Sequence, residues 1–225
     1  MSAHSLSIIL GVKLFLMKTM KIFCVILALT LVACISIKTE YQPISYYRLT
    51  QKPSVVKNIE PLAGTLLVRQ VNIDGEYDSD KLLLLSSESQ LQPYNYHRWA
   101  TEVSELATNF IVNRYANYKV FSGGVVGSNS MSTADYILEN RITEMAAHNS
   151  ESVSRDSNFV ELRMMTSLVQ INTRKGEKSL LMQKTYSITN NRSDNLVTSI
   201  PSAYSSAFSR LCDEMLVDVM RAIKQ

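Results

Sequence analysis

Three consecutive stretches in which apolar and polar residues alternate constrain this chain more than any other feature. Residues 134–144 place Tyr136, Leu138 and Ile142 on one side and Asp135, Glu139 and Arg141 on the other. A period of two marks a strand with one face buried. Residues 159–171 repeat the pattern with Val160, Leu162, Met164 and Leu168 inward, and residues 179–188 return with Leu180, Met182 and Tyr186. With turn residues at 172–176 between the last two, the spacing predicts a three-stranded antiparallel meander. The connection 147–158, nearly devoid of apolar side chains, is expected to be a mobile hairpin loop.

The apolar face of such a sheet needs a cover, and two segments of helical period supply one. Residues 99–115 repeat Trp99, Val103, Leu106, Ala107, Phe110 and Ile111 at spacings of three and four. Glu102 and Glu105 at the start and Arg114 near the end suit the helix dipole. Residues 199–224 carry Ala203, Ala207, Phe208, Leu211, Met215, Val219 and Ala222 on one face, with Pro201 in the first turn. Upstream, residues 46–49, 65–73 and 81–85 are rich in strand formers, separated by a Pro-bounded loop over 50–64 and a turn over 74–80. The expected fold class is therefore α+β: a mixed or antiparallel sheet with two amphipathic helices packed on one face, forming a single domain over residues 46–225.

The N-terminal region has a different character. Lys18 and Lys21 precede an apolar run over 22–33, and no acidic residue occurs before Glu40. That is the charge and hydropathy order of a secretory leader, and the run falls short of the roughly 20 residues that a spanning helix needs. It ends in Leu31-Val32-Ala33-Cys34, which resembles a bacterial lipobox: Leu31, Val32 and Ala33 would be read by the signal peptidase, and the Cys34 thiol would carry lipid. Residues 1–33 are thus expected to be a lipoprotein signal peptide, with 1–16 an over-extended start before Met17, and residues 34–45 a lipid-anchored tether. Losing the leader removes Lys13, Lys18 and Lys21 and no acid, which turns a net charge of +3 into a neutral body. No nucleic-acid surface is implied.

Chemistry-bearing motifs are sparse. Of three histidines, His97 and His148 lie in the body, and neither sits in a metal-binding or nucleophile-activating pattern. Gly123-Gly124 opens a stretch of small residues through 132 that reads as a loose loop without a phosphate-binding ending. Asp213, Glu214 and Asp218 read as a solvated acidic face, and Cys212 as a small core residue. No catalytic residue, metal or cofactor is expected. The cluster Tyr94, Tyr96, Arg98 and Trp99 has two readings, a loop whose aromatics cover the start of the helix or a partner-binding patch.

The order of these features carries a resemblance: Cys34 after a leader, then Tyr46-Tyr47-Arg48-Leu49, then Tyr96 and Arg98-Trp99-Ala100 opening a helix, then Ala134-Asp135-Tyr136-Ile137-Leu138. The chain resembles the ABC-type transport auxiliary lipoproteins, the PqiC-like components that accompany MCE-domain lipid transporters. The resemblance implies a non-catalytic outer-membrane lipoprotein that docks a periplasmic MCE-domain protein, works with inner-membrane transporter components and supports envelope integrity. It leaves room for lipid cargo and for a homo-oligomer. Ile35 rather than Asp after Cys34 favours, by the sorting pattern of such lipoproteins, the periplasmic face of the outer membrane. The alternative is a structural or assembly lipoprotein of another envelope machine.

Overall fold

The computed structural model describes residues 41–54, 59–87, 89–150, 158–172 and 176–225, with Met17 and Met20. Cys34 and the rest of the lipobox lie outside the described residues, as do 151–157 of the polar connection. Among the described residues no helix is long and apolar enough to cross a membrane.

The expected meander forms the spine of the fold: β7 (Tyr136–His148), β8 (Phe159–Asn172) and β9 (Glu177–Asn191) pair antiparallel in that order. The far side of β7 is lined by three shorter strands, β2 (Leu66–Val68), β3 (Asn72–Ile73) and β4 (Lys81–Ser87), all parallel to it. They meet it successively at Tyr136–Leu138, Arg141–Ile142 and Ala147–His148, so one interrupted stretch of chain escorts β7 along its length. The sheet continues from β4 to β5 (Gln90–Trp99) and β1 (Ser45–Tyr47), and from β2 to β6 (Val125–Gly127). Among the described residues nine strands make one mixed sheet.

Two helices, α1 (Val103–Asn117) and α2 (Ile200–Lys224), contribute to one apolar layer with this sheet. Leu138, Ile142, Leu162, Met164, Leu168 and Ile188 from the strands are fully buried with Ile111 and Phe208 from the helices. Burying a side chain of this size contributes roughly 1.5–3 kcal/mol, and the alternation of the strands concentrates that gain on one face. Edge-on aromatic contacts, Trp99 with Tyr204 at 5.9 Å, tie the β5 end to α2.

Three stretches differ from expectation. Residues 65–73, expected as one strand, form β2 and β3 with a break over 69–71. Residues 90–99 form a strand paired with β4, hidden in the sequence because Lys81 pairs with Arg98 but Leu83 already pairs with Pro93, leaving several extra residues on β5 that erase its alternation. The small-residue stretch after Phe121 holds β6, and its glycine has a steric duty. A Cβ on Gly123 would collide with Thr65 Oγ1 and meet the Gly64 carbonyl oxygen at 2.8 Å, so two backbones touch there. Gly64 itself has φ +93°, and Asp135 accepts the Thr65 N–H beside it at 2.8 Å.

Candidate functional site

Three groups of polar or aromatic residues stand out, and the first is the sequence-predicted cluster on β5. The parallel register sets Tyr46 beside Arg98 and Tyr47 beside Trp99. Trp99 is buried in the core, and Tyr94 is half-buried, its ring edge-on to His97 at 6.1 Å. The Tyr47 hydroxyl and His97 Nδ1 are hydrogen-bonded at 2.8 Å. Arg98 donates to Asp80 at 2.8 Å. Tyr46 and Tyr96 remain exposed, so these two and the Arg98–Asp80 pair form the accessible part of the cluster.

The second group joins the helices. Arg114 is fully buried; its Nε donates to Asp213 Oδ1 at 2.9 Å and Nη1 donates to the Lys52 carbonyl at 2.9 Å and to Gln51 Oε1 at 3.2 Å. Asp213 therefore belongs to the interior and not to a solvated acidic face, because a buried guanidinium holds it there. Asp218 is likewise engaged: it accepts from Lys184 at 2.6 Å and from the Tyr186 hydroxyl at 3.0 Å. Burial alone would raise its carboxyl pKa, but these hydrogen bonds and the charges of Lys184 and Arg221 pull it below the ordinary carboxylate value. Glu214 remains on the surface, paired with Arg210 one turn earlier.

Residues 50–54 lie along α2 as a strap. The Thr50 and Lys52 N–H groups donate to Ser205 and Ser209 Oγ at 3.0 and 3.1 Å, and Ser54 Oγ donates to Asp213 Oδ2 at 3.0 Å. Ser205, Ser209 and Asp213 follow at four-residue spacing, one row on the helix. Each serine hydroxyl also donates to the carbonyl four residues earlier, at 2.7 Å, which aims its lone pair at the strap. Cys212 beside this row is buried, and burial pushes its thiol up to about 12.

The third group lies on the sheet face turned away from the helices. A bulge at Thr143 makes it: Ile142 pairs with Met164, yet Glu144 pairs with Arg163 and Met145 with Leu162. Leu138 and Ile142 belong to the core before the bulge, Met145 and Ala147 after it. The surplus residue thereby puts Glu144, Ala146 and His148 on the outer face, where an unbroken alternation would have sent them inward. Glu161, opposite Ala146, is diagonal to both Glu144 and His148. One donor atom from each of Glu144, His148 and Glu161 lies within 4.8 Å of the others, and His148 Nε2 is 3.7 Å from Glu161 Oε2. The His148 ring stacks on Phe159, 4.3 Å between centroids and 10° between planes. Burial, then the charge of Glu161, raises the Glu144 carboxyl pKa, with Arg163 opposing. This grouping spans two strands, so no spacing within the sequence announces it.

Three open concavities beside β2, β3 and α1 have many polar side chains in their walls. One beside α1, about 380 Å³, is lined by Gln70, Glu102, Thr108, Asn109, Val112 and Asn129 among others, a wall unsuited to acyl chains.

Comparison with known proteins bears on the whole body. The family described as ABC-type transport auxiliary lipoprotein component matches residues 47–216. A crystal structure of a Xanthomonas campestris protein superposes with a TM-score of 0.68 at 13% identity, over 80% of this chain and 98% of the other. That of an uncharacterised protein superposes at 0.58 with 12% identity, over 79% and 99%. At such identity the likeness shows the fold. No curated protein matches the chain.

Proposed function

The chain belongs to the ABC-type transport auxiliary lipoprotein family, and on that premise we propose that it is the non-catalytic, lipid-anchored component of an MCE-type intermembrane lipid transport system. The observation that carries this reading is the extent of the family match, which takes in β2 to β9, α1 and most of α2. In this reading lipid on Cys34 holds the body at the periplasmic face of the outer membrane. Each buried CH₂ contributes about 0.8 kcal/mol, so more than one acyl chain makes escape negligible. The body docks a periplasmic MCE-domain protein through Tyr46, Tyr96 and Arg98, and lipid passes through the partner's channel, in keeping with the polar wall of the concavity beside α1.

The test is crosslinking in cells from a photoreactive residue at position 96, with the chain in its own membrane. Covalent capture of an MCE-domain protein is the expected result. Recovery of none, from cells that express one in the same operon, sinks the reading. Separately, Cys34→Ala is expected to leave the body folded and release it from membranes.

A further inference from the structure

The geometry points to a zinc site on the outer face of the sheet, formed by Glu144 and His148 of β7 and Glu161 of β8. Tetrahedral zinc with bonds of about 2.0–2.2 Å holds its ligand atoms roughly 3.4 Å apart. The three donor atoms lie within 4.8 Å of one another, and His148 Nε2 is 3.7 Å from Glu161 Oε2. Contraction by up to about 1.4 Å lies within the reach of two glutamate side chains whose backbones are already fixed by the ladder.

The surroundings fit a ligand set better than a plain surface ion pair. His148 is almost fully buried, and its ring plane is set by the stack on Phe159. Ala146, the small residue between the two β7 ligands, leaves the space over which Glu161 leans from the neighbouring strand. Two carboxylates forced together on one side of an imidazole form a concentration of negative charge that one divalent ion relieves. One nitrogen and two oxygens select a borderline first-row cation over magnesium or calcium, which prefer oxygen alone, and zinc stands near the top of that series. Three protein ligands leave a fourth position for water.

Arg163 is the competitor. Its guanidinium reaches Glu144 at 2.9 Å and Glu161 at 3.3 Å, and its side chain is 44% exposed, free to swing outward when a cation arrives. This makes the site distinguishable from adventitious chelation, since removing Arg163 should tighten the binding.

The experiment uses the full chain, purified in detergent without a histidine tag, stripped with chelator and dialysed against zinc chloride. Cobalt chloride serves as a visible-absorption reporter of the ligand geometry. One zinc per chain is expected, weakened about tenfold or more by His148→Gln and by Glu161→Gln, unchanged by His97→Gln, and tightened several-fold by Arg163→Gln. Absence of retained zinc, or binding indifferent to both His148→Gln and Glu161→Gln, overturns the assignment. Circular dichroism checks folding; should His148→Gln not fold, Glu161→Gln decides alone, its side chain being partly exposed on the outer face.

Discussion

The two faces of the sheet handle buried charge in opposite ways. On the helix side, Arg114 and Asp213 are sealed in the core, and the strap supplies the additional acceptors that the guanidinium needs. On the outer side, Glu144 and Glu161 crowd the same space beside His148, and the cation that serves them, Arg163, is half in solvent. The first arrangement is closed around its own charges and can do little except hold α1, α2 and residues 50–54 together. The second has surplus negative charge and an accessible side, which is what a binding site requires. Burial alone does not mark function; incomplete neutralisation next to solvent is the better sign.

The largest break of this contrast is Arg114→Ala. It leaves Asp213 buried without its guanidinium and should cost about 3–5 kcal/mol, read as a fall in the urea midpoint. Replacing both partners, Arg114→Met with Asp213→Leu, should cost clearly less than the single change, because no charge is then stranded. Next in size is Ser209→Ala, which removes one strap acceptor and should cost about 1 kcal/mol by the same measurement. Glu161→Gln on the outer face should alter stability in the absence of metal by no more than roughly 0.5 kcal/mol, since its pairing is partly solvated. A comparable loss from Glu161→Gln and Arg114→Ala would erase the distinction between the faces.

Asp218 gives the smallest effect and a sign. Its folded pKa is below the unfolded value of about 3.9, so its contribution is present above that pH and disappears as pH falls through the lower folded value. Its partners Lys184 and Arg221 are largely exposed, which keeps the contribution modest. Asp218→Asn should therefore lower stability slightly at pH 6 and flatten its decline in the acid range. Urea midpoints between pH 6 and 2 check this.

Legibility in the sequence followed the range of the interactions. The meander and both helices are written in periods of two and of three to four, and they appear with boundaries shifted by a few residues. The strand at 90–99 is illegible because its bulge opposite Leu82 destroys the alternation and Pro93 argues against a strand interior. Arg114 reads as a helix-end cation because its partner stands 99 residues away. The Glu144–His148–Glu161 group needs both the β7–β8 register and the bulge, and nothing in Ile142-Thr143-Glu144-Met145 advertises a surplus residue by composition. Of the aromatic cluster, order along the chain could not tell that Trp99 packs inside while Tyr96 stays on the surface.

That surplus residue has an evolutionary consequence. Removing Thr143 would restore a simple two-residue repeat from Leu138 through His148, with Met145 and Ala147 still facing the helices and Glu144 and His148 still facing out. Thr143 thus marks a place where β7 can gain or lose a codon without turning its apolar side to water, and length differences among relatives are expected to collect at it.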